Sequence, residues 1–295
     1  MNKKLLLSFI LSLCGNVFAQ YDLQKMYGAE TSFEQTAAES GMKTAFLKFL
    51  AVDGIVFRPN PINGIDFWTL NKKNGSPLIL VRNSNFGDIS ANGLMGYTTG
   101  SWQSYPKGKR DTLSKFGQFV TIWEKKPDGT FRASLDIDIT HDEPPVSEAG
   151  QGFQTDLQHD PNKRGYSPAD ASMNFLRMGM TTKALGNGYK QYAVDNVRLL
   201  LDGKPLILGK KNVVSEMSRY TSINFPKKVA LYQAADLAYV WNACEFANSK
   251  EGTEKGNCLH IWKLRDKKWW IVLGVFARVT DDTPPELKTK PKSKE

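Results

Sequence analysis

The segment SFEQTAAESGMKTAFLKFLA, residues 32–51, brings back its apolar residues three and four apart through Phe46, Leu47 and Leu50. That spacing lines one face of an α-helix, and Ser32 is placed to cap it. SPADASMNFLRMGMTTKAL, which begins at Ser167, has the same character. Here Ser167 is a candidate cap, and Pro168 falls in the first turn, where its missing N–H costs nothing. Each helix is followed by a short apolar strand (IVFR, VRLLL), a Pro/Gly turn and a second short helical stretch (DFWTLNKK, GKKNVVSEM). The period then drops to two. GYTTGSW, FGQFVTIWEKK and TFRASLDIDI form one series of predicted strands. VALYQAADLAYVWNACEF, CLHIWKLR and KWWIVLGVFARV form a second. In FVTIW, Val120 and Ile122 alternate with Phe119 and Trp123, so both faces of that strand are apolar and both need cover.

The two series are copies. AVDGIVF at Ala51 returns as AVDNVRL at Ala193, and GLMGYTTGSW falls on ADLAYVWNAC with Tyr97 meeting Tyr239. Further on, Trp123 meets Trp262 and Phe131 meets Trp270, in the same order in both halves. A repeat of this length is a duplicated domain. Helices followed by long antiparallel strands make each copy α+β. The expected division is a first domain over 30–140, a linker over 141–166 rich in Pro, Gly and charge, and a second domain over 167–279. A Lys-rich tail over 280–295 has too little apolar content to pack a core.

The N-terminus reads as an export signal. MNKK is a short basic region, LLLSFILSL is an apolar run too short to span a bilayer, and NVFAQ offers a cleavage point after Ala19. Residues 1–19 are therefore set aside as a signal peptide, with a periplasmic or secreted location for the remainder. A lipidated Cys14 is disfavoured because the bulky Leu13 precedes it. After cleavage two cysteines remain, Cys244 and Cys258, on either side of a polar hairpin tip in a compartment where disulfides persist. A bridge between them is expected. The net charge of +9 is spread among acidic residues with no basic stripe, which argues against nucleic acid as a partner. No further stretch reads as a membrane helix, and neither a cofactor nor a metal is implied.

These residues resemble the nuclear-transport-factor-two-like superfamily, and within it the SnoaL-like and ketosteroid-isomerase-like branch. The carriers of the resemblance are the helix ending in AVDG, the GYTTGSW strand, and the final hairpin with its Trp, DG turn and aromatic. It implies two tandem cones, each with helices packed in a strongly bent antiparallel sheet. Many members dimerise through the outer face of the sheet, so a tandem chain would form its own pseudo-dimer. It also implies a small-molecule pocket in the cone mouth. The isomerase branch further implies a carboxylate base just before a proline. Here that position holds Arg58, ahead of Pro59, and its counterpart is Leu200. A guanidinium does not abstract a proton at neutral pH, so isomerase chemistry of that kind is not expected.

The first copy is the more polar, and its candidate ligand-binding residues are Arg58, Tyr97, Thr99, Trp102, Trp123, Asp136 and Asp138. Asp136 and Asp138, two apart on a strand, share a face. They are either paired pocket acids or ordinary surface charges, and the surface reading is favoured. Asp53 and Asp195 read as turn acceptors at the repeated junction. His260 is either a general acid or base or a hydrogen-bonded core histidine, with the core reading favoured. His141 and His159 are poor candidates for a metal site. Val240, Trp241, Val275 and Ala277 are expected to fill the second cone, leaving the open cavity in the first. No nucleophile elbow, phosphate loop or dinucleotide fingerprint occurs. The expected function is an exported, non-catalytic module that binds a small molecule or partner, mainly in the first domain. A lyase, isomerase or hydrolase using Asp136, Asp138 or His260 is the alternative.

Overall fold

The computed structural model describes residues 3–70, 78–106, 115–144, 153–155, 167–182, 184–224, 230–248 and 252–279. The expected C-terminal tail lies outside these residues. Two α+β units follow one another along the chain. The first begins with helix α1 (Lys3–Ser40) and α2 (Met42–Phe49), separated at Gly41, whose φ of 85° is a conformation that favours glycine. Strand β1 (Leu50–Phe57), β2 (Pro61–Asn63) and helix α3 (Gly64–Leu70) lead into β3 (Leu78–Ile89), β4 (Met95–Pro106), β5 (Lys115–Lys125) and β6 (Phe131–His141). The sheet order is β2-β1-β6-β5-β4-β3, antiparallel throughout except that β1 runs parallel to β6.

The second unit repeats this plan. Its helices are α4 (Pro168–Thr182), α5 (Leu185–Tyr192) and α6 (Lys210–Met217). Its strands are β7 (Ala193–Leu201), β8 (Ile207–Leu208), β9 (Tyr220–Asn224), β10 (Ala230–Ala234), β11 (Leu237–Asn248), β12 (Gly252–Arg265) and β13 (Lys268–Arg278). They are ordered β10-β11-β12-β13-β7-β8, with β9 on β11 and β7 parallel to β13.

The repeated phrase encodes the join between helix and sheet. In β1 the register with β6 shifts between Leu50 and Ile55, and in β7 the register with β13 shifts across Ala193 to Arg198. The extra residues bulge out, leaving Asp53 and Asp195 exposed. At Gly54 a Cβ would lie 2.8 Å from the Ala133 carbonyl oxygen, so the bulge of β1 has room only for glycine there, whereas that of β7 carries Asn196.

Ser167 caps α4 as expected from sequence: its hydroxyl accepts the Asp170 N–H at 3.1 Å and donates to the Asp170 carboxylate at 2.7 Å. Ser32 does not cap. It lies inside α1 and donates back to the Gly28 carbonyl, because the helix starts at Lys3 and not near residue 32. Ala19, Leu23 and Met26 of α1 are buried in the first unit's interior, so its packed body reaches further N-terminal than residue 30.

Three apolar layers result. The helices of the first unit pack on the concave face of its sheet through Phe33, Phe46, Trp123 and Phe131. Those of the second pack through Phe175, Tyr189, Trp262 and Phe276. A third layer joins the two sheets back to back. Tyr97, Val120, Ile122, Leu135, Ile137 and Ile139 meet Leu200, Tyr239, Leu259, Ile261, Leu273 and Val275. This is why FVTIW is apolar on both sides: Phe119 and Trp123 face helices while Val120 and Ile122 face the other sheet. Polar ties cross the same boundary. Asn257 donates to the Pro59 carbonyl at 2.7 Å, and Gly203 N–H donates to the Thr140 carbonyl at 2.7 Å.

Candidate functional site

Helix α1 presents Leu23, Met26, Glu30, Phe33 and Ala37 on the face it buries. Glu30 therefore enters the first interior on an apolar stripe, with no exposed surface at all. One oxygen accepts the hydroxyl of Thr98 from β4 and, at 3.1 Å, the indole N–H of Trp123 from β5. Its other oxygen, Oε1, lies 3.6 Å from Arg82 Nη2 and makes no hydrogen bond. Arg82, on β3 and itself buried, donates from Nη1 to Asp136 at 2.9 Å and from Nη2 to the Thr121 hydroxyl at 2.7 Å. Thr121 in turn donates to Asp136 at 2.8 Å. The guanidinium lies 3.6 Å from the ring centre of Phe119 and 4.9 Å from that of Phe33. Glu34, one helical turn beyond Glu30, accepts the backbone N–H of Ser84 at 2.6 Å and is only half-buried. It brings the cluster to solvent.

Burial raises the Glu30 carboxyl above its ordinary range, against the opposing pull of Arg82. For Glu34, burial and the neighbouring Glu30 raise the value from 4.5 to about 7. Desolvation opposes the charge on Arg82, but Asp136 and Glu30 outweigh it, and the guanidinium is held more firmly protonated than usual. Three carboxyls and one guanidinium thus share one low-dielectric space.

At the neighbouring edge of that interior, Arg58 pairs with Asp138 at 2.9 Å and donates to the Phe57 carbonyl at 2.6 Å. Its guanidinium sits 5.9 Å from the ring centres of both Phe46 and Trp68. Both members of the pair are partly exposed.

The residues singled out from sequence separate into two groups. Asp136 and Asp138 do share a face, and it is the concave one, so the surface-charge expectation is corrected: a bulge at the Ile122/Trp123 register shift turns β6 so that both look inward. Trp123 is there too, fully buried and bonded to Glu30. Trp102 is also buried, packed against Gly117, with its indole N–H unpaired. Tyr97 and Thr99 lie elsewhere. Alternation on β4 sends them to the opposite face from Thr98, so Tyr97 packs between the sheets and Thr99 donates to the Phe119 carbonyl at 2.7 Å. Glu30, Glu34 and Arg82 had not been singled out. The signal for Glu30 was present: it occupies a core position of the stripe Leu23–Met26–Phe33–Ala37.

The second interior is apolar. His260 is buried among Phe175, Trp262 and Phe276 and bonded to the Tyr189 hydroxyl at 2.9 Å. Desolvation lowers it to about 3, so it is neutral at physiological pH and serves as a core residue. Of the four residues expected to fill this cone, only Val240 does so. Trp241, Val275 and Ala277 pack toward the layer between the sheets, and the filling comes from Phe175, Tyr189, Trp262, Phe246 and Phe276. His141 donates from Nδ1 to the Glu143 carbonyl, and His159 lies outside the described residues. Among the described residues no group of three or more His, Cys, Asp or Glu is set to hold a metal ion. No described helix is long and apolar enough to cross a membrane.

Element order, sheet topology and interior together define a tandem α+β protein of two cone-like units, one lined with charge and one filled with aromatic side chains. The chain matches no protein-family profile and no curated protein. Among solved structures it is similar to an NTF2-like protein from Cytophaga hutchinsonii, at 15% identity and a TM-score of 0.32, over 39% of this chain and 100% of the other. It is also similar to an NTF2-like protein of unknown function from Pseudomonas putida, with 14% identity, a TM-score of 0.32, and coverage of 43% and 100%. A ketosteroid isomerase-like protein from Erwinia carotovora atroseptica is 17% identical with a TM-score of 0.32, over 38% of this chain and 93% of its own.

Proposed function

We propose that the protein is an exported module that binds a small molecule in the interior of its first unit, while the second unit serves as its structural partner. The contrast between the two interiors carries this reading. Duplicated units started from one plan, yet only the first keeps Glu30, Arg82 and Asp136 buried together. Buried charge costs several kcal/mol per ion unless it is well compensated, and aromatic packing such as that of the second unit would be the more stable filling. A buried charged set retained at that cost, with Glu30 Oε1 left without a hydrogen bond, is what a recognition site for a polar group requires. The ketosteroid-isomerase base has no counterpart, since Arg58 is engaged with Asp138 and Leu200 is buried.

Export rests on the basic–apolar–small pattern ending at Ala19. The bond after Ala19 lies within α1, and Ala19 is 1% exposed, so a peptidase would act before the first unit folds. Native mass spectrometry of protein secreted from its own cells tests the binding reading. A retained small mass, lost on replacing Glu30 with Gln, is the expected result. Apoprotein alone, with no response to added small molecules in thermal unfolding, would overturn it.

A further inference from the structure

The charge balance of the first interior says what kind of ligand it takes, an inference that rests on the binding reading above. Asp136 already accepts on Oδ2 from Arg82 at 2.9 Å and Thr121 at 2.8 Å. Both terminal nitrogens of Arg82 already donate, to Asp136 and Thr121, Nη2 also faces Glu30 Oε1 at 3.6 Å, and only Nε has no bonded partner. An incoming carboxylate or phosphate would therefore add a further anion to three carboxyls that share the single guanidinium of Arg82. An apolar ligand would leave Glu30 Oε1 buried and unsatisfied. A cation resolves both problems. The interior already shows how it holds one: the Arg82 guanidinium sits between carboxylates, with the rings of Phe33 and Phe119 at 4.9 and 3.6 Å.

We propose that the first unit binds a small organic cation, an ammonium or amidinium group, received by Glu30 Oε1 and the carboxylate of Glu34. The two residues stand one turn apart on α1, on the same side of the helix. Glu34 is the half-buried member through which such a group would arrive, and Glu30 is the enclosed one against which it would stop. Burial disfavours the ionised form of both carboxyls in the free protein, so protons compete with a bound cation and binding weakens as the pH falls.

The test uses isothermal titration of the full chain with four probes of similar size: benzamidinium, benzylammonium, benzoate and benzyl alcohol. At pH 8 the two cations are expected to bind saturably and benzoate not at all. Their affinity should fall at least tenfold between pH 8 and pH 5.5. Glu34→Gln and Glu30→Gln should each weaken the cations at least tenfold, while Asp195→Asn, on an exposed bulge, leaves binding unchanged. Thermal unfolding of each variant confirms that it is folded. Binding of benzoate or benzyl alcohol with the cations inert overturns the cation assignment and leaves the small-molecule reading standing. Cation binding that survives unchanged in both glutamine variants overturns the assigned residues. No binding by any probe, together with no retained mass in the native spectrum, removes both.

Discussion

Glu34 and His260 lie in different interiors, and burial pushes each toward its neutral form. Glu34 rises from 4.5 to about 7, so the folded protein holds a proton that the unfolded chain releases. Its contribution is fully present below about pH 4.5 and is lost as the pH rises toward 7. At about 1.4 kcal/mol per unit, discounted for its contact with water, the loss amounts to about 2 kcal/mol. Glu34→Gln, which cannot ionise, should therefore be about 2 kcal/mol more stable than the natural chain at pH 8 and nearly equal to it at pH 4.5. Chemical denaturation at the two values measures this, and a variant that gains nothing at pH 8 contradicts the shift. At this scale the sequence was only partly legible. Strand alternation gave Asp136 and Asp138 a common face, but which face depended on a one-residue bulge that leaves no mark in the pattern. Glu30 could have been found, because a charged residue on an otherwise apolar helical stripe has to be compensated. Arg82 could not, because nothing local says that its strand lies opposite α1.

Elements were read more successfully, because period and turn chemistry are local. The predicted strands, the cap at Ser167 and the helix-to-strand junction at AVDG and AVDN lie where the pattern placed them, whereas β3 and β9 were not predicted and VALYQAADLAYVWNACEF divides into β10 and β11. The first helix was misjudged at its start, since an apolar N-terminal run continues the same helical period without a stop. The hairpin of β11 and β12 pairs Cys244 with Gly256 and Asn242 with Cys258, so the two cysteines face each other diagonally across the ladder. Their Cα atoms are 6.1 Å apart, and the sulfurs are joined. Closing a loop of this length, a separation of 14 residues, stabilises by about 3 kcal/mol in the chain-entropy account. Replacing both cysteines with serine should cost about that much, and non-reducing peptide mapping of the natural protein should recover the two as one cross-linked peptide. Free thiols at both positions would contradict the bridge.

For the molecule as a whole, the layer between the sheets makes one body of two units. Lys263 of β12 reaches across it with no exposed surface, donating to the Ile89 carbonyl at 2.8 Å and pairing with Asp88 at 3.2 Å and Asp236 at 3.4 Å. Removing one partner of a buried ion pair typically costs 3–5 kcal/mol. Lys263→Met should therefore cost about that much in denaturant unfolding, and a loss below about 1 kcal/mol would mean that the two aspartates are compensated some other way. The duplication was legible from sequence because the order of many weak matches repeats. The divergence of the interiors was legible only in outline, since the residues that fill the second one are not those expected. That divergence is the central claim, and the indole N–H groups report on it directly. Trp123 donates to Glu30 in the first interior, while Trp262 is buried in the second with no hydrogen-bond partner. In a nitrogen–proton correlation spectrum with assigned indoles, saturating benzamidinium at pH 8 should shift Trp123 and leave Trp262 in place. A shift at Trp262 with Trp123 unmoved would contradict the account.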